Sequence, residues 1–406
     1  MSGGPGSGSA TGRVADARST DAHTMMLAVA TLAACALPLF FTAGLALDLQ
    51  RDLGLSDARL GAAITCFWIV ATLASFPSGR LVDRIGAARS VRLAGALVAL
   101  GSLGVAVGAH SFTLFAALLA VTGLGNALIA PAMSAVVAGN LRPHRNGAVF
   151  GFQQSGPPLA SVVAGLALPT AAAAFGWRWV FALGAAAALA ATGAVRGERV
   201  EHTPRPIRHE TRPEAPGAAS SGGPAFVVLV VAGGLLASAA ANGLIAYLVL
   251  YAAGSGLSPA AAGILLAAAS VTCAATRIGL GLRSDGSSTP VLPQMAALVL
   301  AGAVGFALLA AGTGWTTVVG SMLALGIGWG WAGLYVLSAV RHGGRAPGRA
   351  VGAAVTGTFA GATIGPLLVG LLSSVASYEL AWLVCAALSL ASAAAFFAAR
   401  RLEPRA

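Results

Sequence analysis

The chain has 406 residues, of which 57% are hydrophobic and 9% charged, with a mean hydropathy of +0.82 and a formal net charge of +11. An average soluble domain has roughly 25% charged residues, and a water-soluble fold cannot hide this much apolar surface, so part of the solvent is lipid. All 24 basic residues are Arg and they are scattered over many short segments, which speaks against a nucleic-acid-binding face.

Other chemistries are equally unsupported. Cys35, Cys66, Cys273 and Cys385 stand far apart and the six histidines do not cluster. No disulfide framework, metal site or cofactor is therefore expected. No Ser/His/Asp set or carboxylate pair recurs at catalytic spacing, so an enzyme is not expected.

In chain order, residues 1–24 form a polar, Gly/Ser-rich stretch without a signal peptide's apolar core, and a disordered tail is expected there. Charge-free segments follow at 22–47, 60–79, 93–141, 146–177, 179–195, 215–276, 286–340, 350–378 and 380–399. One crossing needs about 20 apolar residues, so the segments 93–141, 215–276 and 286–340 must each hold two helices, and the total is twelve. The expected fold is an all-α integral membrane protein with twelve transmembrane helices in two six-helix bundles, 25–195 and 225–399. Between them, 196–224 is rich in Pro, Arg and Glu and reads as a linker, and 400–406 is a short C-terminal tail.

An even number of crossings puts both termini on one side. With that side cytoplasmic, inner segments hold all the arginines except Arg51, Arg59 and Arg178. Lys and Arg accumulate on the cytoplasmic side, so the termini are expected in the cytoplasm of a multi-pass cell inner-membrane protein, with arginines touching lipid headgroups.

The halves repeat each other. Gly79-x-x-x-Asp83 follows the second helix and Gly281-x-x-x-Asp285 the eighth. Ser155-Gly156-Pro157-Pro158-Leu159 in the fifth corresponds to Ile364-Gly365-Pro366-Leu367-Leu368 in the eleventh. Matching positions in two six-helix halves point to a duplicated transporter. The stretch 79–89, GRLVDRIGAAR, resembles the loop signature of the major facilitator superfamily, with Gly79, Leu81, Asp83, Arg84, Gly86 and Arg89 matching and Ala87 and Ala88 departing from it.

That resemblance implies alternating access between pseudo-symmetric bundles. It implies a small-molecule substrate with a co-transported proton left open, and a monomer as the working unit. It also implies a gate in which Asp83, with Gly79 and Arg84, meets the start of the eleventh helix, where Arg349 stands. A carboxylate there would face unpaired N–H groups and the positive helix end.

A site near the midplane is implied between the halves. Polar residues within spans are the candidates: Asn126, Gln153, Gln154, Asn242 and Tyr335. Arg277 is the charge lying within a span, and its offset from Gly281-x-x-x-Asp285 resembles the anion-binding Arg of oxalate/formate exchangers and monocarboxylate transporters. A guanidinium suits a carboxylate bidentately, so a small organic anion is the leading substrate class. A proton-coupled multidrug or metabolite exporter is the alternative, although Leu119, Thr122 and Gly123 depart from the exporters' helix-four pattern. A membrane sensor is a further alternative, with no segment long enough for an output domain. Gly328-Trp329-Gly330-Trp331-Ala332-Gly333 fits a dinucleotide fingerprint by letter, but it lies inside a membrane segment and reads as close helix packing.

Overall fold

A computed structural model describes residues 8–140, 146–195, 223–285, 290–342 and 347–403, with side chains described except at 8–22, 138–140, 146–149 and 347–349. Among the described residues there are no strands. The spanning helices of the first half are α1 (Gly8–Gly44), α2 (Asp57–Ile85), α3 (Ala87–Gly108), α4 (Phe112–Asn140), α5 (Asn146–Gln153, then Gly156–Ala167 and on to Phe175) and α6 (Trp177–Ala194). Those of the second half are α7 (Pro224–Gly254), α8 (Pro259–Asp285), α9 (Val291–Ala310), α10 (Gly314–Ser321 through Ala332–His342), α11 (Pro347–Val375) and α12 (Tyr378–Arg401).

Eleven of these are long and apolar enough to cross a bilayer. The twelfth, α6, has 18 residues and opens with Trp177-Arg178-Trp179, which lowers its apolarity. Arg178 is accommodated locally: its Nη2 donates to the Ala109 carbonyl at 3.0 Å and its guanidinium lies 4.2 Å from the Trp177 ring. The twelve-helix expectation stands.

The start of the chain differs from the expected tail. Helix α1 is continuous from Gly8, well inside residues 1–24, and its membrane-length apolar part is His23–Gly44. A helix already nucleated by a membrane segment lengthens without a second nucleation cost. Residues 1–7, almost all of the linker (196–222) and the last three residues lie outside the described residues.

The GRLVDRIGAAR stretch makes a very tight connection. Only Gly86 separates α2 from α3, and its φ of 85° is accessible to glycine at little cost. The half repeat is visible in the packing. A Cβ on Gly156 would meet Leu32 Cβ of α1 at 3.0 Å, and one on Gly365 would strike the Ala239 carbonyl of α7. The α5–α1 and α11–α7 contacts are thus equivalents in the two halves.

Between halves, α2 packs on α11 and α5 on α8. Near the face opposite the termini both seams are tight. A Cβ on Gly165 of α5 would lie 2.5 Å from the Gly263 carbonyl of α8, and Ser270 Oγ donates to Ser161 Oγ at 2.8 Å. In the other seam, Thr65 Oγ1 of α2 donates to the Thr363 carbonyl of α11 at 2.8 Å. Small residues let backbones touch where lipid gives no hydrophobic drive for association.

Candidate functional site

Helix α5 breaks in its middle. Gly156-Pro157-Pro158 supplies two consecutive residues without N–H, so the carbonyls four residues earlier, of Gln153 and Gln154, lose their helical donors. Helix α10 departs from α-helical geometry at the same depth, through a π segment at Met322–Ile327 and a 3-10 turn at Gly328–Trp331. Its glycines allow this by packing closely. A Cβ on Gly328 would lie 2.7 Å from Gly302 Cα of α9, and one on Gly333 would lie 3.4 Å from Gly151 Cα of α5. Helix packing therefore accounts for the Gly328–Gly333 pattern.

Arg277 of α8 joins the two irregular places. Its Nη1 donates to the Gln154 carbonyl, while Nε and Nη2 donate to the Trp329 carbonyl at 3.2 and 2.9 Å. Its guanidinium lies 4.2 Å from the Trp329 ring centroid. It is 2% exposed and does not reach an aqueous face, as a snorkelling arginine would. Its acceptors are neutral carbonyls. Neither α5 nor α10 contains an Asp or Glu, and Asp285 at the end of α8 is the only acid on that helix. A buried cation of this kind loses its hydration without a countercharge in the same place.

A small cleft lies nearby between the halves, lined by Leu39 and Phe40 of α1, Ile64 and Trp68 of α2, and Asn242 and Ile245 of α7 among others. Trp329 adjoins both regions, since its ring lies 6.4 Å from that of Phe40. Asn242 is the polar side chain of the cleft, and its Nδ2 donates within α7 to the Ser238 carbonyl at 2.9 Å. Its wall is aromatic and aliphatic, with one carboxamide.

The remaining sequence candidates are spread out. Gln153 Nε2 donates to Ser134 Oγ of α4 at 3.0 Å, within the first half. Tyr335 is 1% exposed, packed on Trp331 and Phe396 inside the second half, with its hydroxyl 3.4 Å from the Ala354 carbonyl. Asn126 is half-buried on α4. The structure thus joins Arg277 to Gln154 and Trp329 and sets Asn242 on the cleft, while Asn126, Gln153 and Tyr335 belong to neither group by their described contacts. No group of three or more His, Cys, Asp or Glu suited to a metal occurs among the described residues.

At the terminal face, Asp83 and Arg84 are exposed, and a Cβ on Gly79 or on Gly352 of α11 would meet nothing within 4 Å. The described α2–α11 side-chain contacts run from Asp57 and Ser373 down to Trp68 and Phe359, whose rings are 5.2 Å apart. The backbone of Arg349 lies in the first turn of α11, and its side chain is outside the described set. The α5–α8 seam, by contrast, persists toward this face: a Cβ on Gly151 would lie 2.7 Å from the Arg277 carbonyl and 3.2 Å from Gly281 Cα.

Asp57 was not among the residues that the sequence pointed to. Its carboxylate accepts from Gln50 Nε2 at 2.6 Å, Ser373 Oγ at 3.0 Å and the Tyr378 hydroxyl at 2.6 Å, and its carbonyl accepts from the Tyr247 hydroxyl at 2.6 Å. The available signal was an acid just after the capping Ser56, at the mouth of a span.

A family model of the Major Facilitator Superfamily matches residues 26–346. No curated protein matches the chain. Among solved structures, the chain is similar to a bacterial homologue of the human lysosomal transporter Spinster in an inward-facing, occupied conformation, with 15% identity, a TM-score of 0.70, and coverage of 94% of this chain and 97% of that one. The unoccupied inward-facing form of that homologue gives 16% identity, a TM-score of 0.71 and the same coverage. A D-xylose–proton symporter gives 15% identity and a TM-score of 0.72, with 93% of this chain and 96% of that one covered.

Proposed function

Since the chain belongs to the major facilitator superfamily, we propose that it moves a small organic anion across the cytoplasmic membrane by alternating access. The termini lie in the cytoplasm, as the arginine distribution supports, and the protein works as a monomer. The observation that carries the substrate class is Arg277, a buried guanidinium at the seam of the halves that donates to the neutral Gln154 and Trp329 carbonyls. A carboxylate that displaces one of them supplies the missing countercharge and a bidentate partner. Asn242, on the adjoining cleft wall, offers the solute a donor or acceptor. Asp83, with Gly79, Arg84 and Arg349, forms the cytoplasmic gate when α2 and α11 close there.

The cleft wall favours a second reading, export of a lipophilic compound with or without proton coupling, because aromatic and aliphatic side chains dominate it.

The test is a thermal-shift screen of the purified protein, comparing small mono- and dicarboxylates with lipophilic cations, followed by flux in proteoliposomes. A ligand at a hundred times its dissociation constant adds about 2.7 kcal/mol to the state it binds. A carboxylate shift that disappears in Arg277→Ala supports the anion site. A shift with cations alone, unchanged by the substitution, moves export to first place. Binding without measurable flux would favour a sensor.

A further inference from the structure

Helix α2 has a carboxylate at each end. Asp57 is its first residue and Asp83 lies in its last turn, which separates them by about 39 Å along a helix. Their surroundings are opposite in this structure. Asp83 is exposed. Asp57 is held by Gln50 within its own half and by three residues of the second half: Ser373 of α11, Tyr378 of α12 and Tyr247 of α7. The next residue joins the same contact, with the Ala58 N–H donating to Ser374 Oγ at 3.2 Å. The backbones meet here too, since a Cβ on Gly370 would lie 2.8 Å from the Asp57 carbonyl and one on Gly61 would lie 2.5 Å from the Pro366 carbonyl.

We propose that Asp57 is the outer-gate clasp of the transport cycle, engaged when the extracytoplasmic ends of the halves are together and released when they part. Three neutral hydroxyls from three helices of one half converge on one residue of the other. Two of them, from Ser373 and Tyr378, go to its carboxylate, and an ionised carboxylate accepts such bonds more strongly than a neutral acceptor. When the outer ends separate, all three bonds cross the opening gap and must break together. Helix α2 then acts as a lever with an acid at each end: Asp57 opposes outer opening, and Asp83 opposes cytoplasmic opening. This builds on the proposed alternating access, but it is tested without any solute.

The reporter is Thr65→Cys, two turns below Asp57, in a chain whose four native cysteines are replaced by Ala. Thr65 is buried in the α2–α11 seam. Sealed right-side-out vesicles are treated with a membrane-impermeant maleimide and the labelling rate is measured. Asp57→Asn should raise the rate about tenfold, the change that a 1.4 kcal/mol loss gives. Tyr378→Phe and Ser373→Ala, each removing one donor from the opposite half, should raise it by smaller factors. Asp83→Asn should lower it.

Unchanged labelling in both Asp57→Asn and Tyr378→Phe overturns the proposal, as does a rise in Asp83→Asn equal to that in Asp57→Asn. Should Asp57→Asn fail to fold, Tyr378→Phe and Ser373→Ala decide the matter. Failure of every candidate solute in the flux assay leaves this labelling pattern intact, so the two readings fail separately.

Discussion

Pro158 and Arg277 act on the same oxygen atom. Pro158 removes the N–H that would bond the Gln154 carbonyl inside α5, and Arg277 reaches across from α8 to donate to it. One half therefore supplies an orphan acceptor, and the other supplies a buried cation.

Restoring the helical donor should weaken this tie. In Pro158→Ala the new N–H competes for the Gln154 carbonyl, and since Pro158 stands in the first turn of the helical segment that resumes at Gly156, its loss changes intrinsic preference little. Thermal stability should hold or rise while α5 and α8 part more readily. Spin labels at Phe152→Cys and Leu282→Cys should show a longer and broader distance distribution in this variant. An unchanged distribution would mean that the Arg277 bond does not hold the seam.

Arg277 itself separates a structural bolt from a functional charge. Arg277→Met keeps most of the volume and removes a desolvated cation, so ligand-free stability should stay within about 1 kcal/mol of wild type, while carboxylate transport is lost. Arg277→Lys keeps the charge, yet a compact ammonium cannot fork between the Gln154 and Trp329 carbonyls. It should cost about 2 kcal/mol, one charged hydrogen bond's worth. Melting curves and flux on both variants decide the point; a Met variant destabilised more than the Lys variant contradicts a role for the charge in transport.

What the sequence made legible follows from its physics. Charge is costly in hydrocarbon, so gaps between charges count the spans, and even α6, barely long enough, appears as a gap. Prolines announce where carbonyls come free, as Pro157 and Pro158 do for Gln153 and Gln154. The sequence could not say which face of a span looks inward, because lipid-facing and core-facing positions are both apolar and the helical period fades. Tyr335 shows this: polar and mid-span, it turns into the core of its own half. Asp57 was illegible for another reason. Ser373 and Tyr378 lie more than 300 positions away, and nothing local reveals that they converge on it.

At the terminal face of the second half, Glu403 joins α12 to α10, accepting from Arg400 and bonding His342 Nε2 at 2.8 Å. Burial pushes its carboxyl up, but the hydrogen bonds from Arg400 and His342 outweigh this and hold it below the usual glutamate range. A depressed folded value contributes stability above the unfolded pKa and loses it as pH falls through the folded one. Glu403→Gln should therefore lower stability at pH 7 by about 1 kcal/mol or less for a partly exposed pair. The gap from wild type should close below about pH 4, near the unfolded glutamate value. Melting temperatures across pH 3.5–8 check this; a gap independent of pH would assign the loss to packing.

Asp83 closes the set, because the contact proposed for it with the start of α11 is not made in this structure. Asp83 is exposed, and Gly79 has open space where α11 would arrive. Asp83→Asn removes a contact made only when the cytoplasmic ends are together, where a carboxylate at a helix N-terminus gains about 0.3–1 kcal/mol. Ligand affinity should be nearly unchanged, while flux falls by about two- to fivefold, since that energy acts on one step of the cycle. Flux in proteoliposomes and thermal-shift titration on the same preparation separate the two effects. Equal loss of affinity and flux would move Asp83 from the gate to the folding of the α2–α3 connection, where Gly86 already sets the turn.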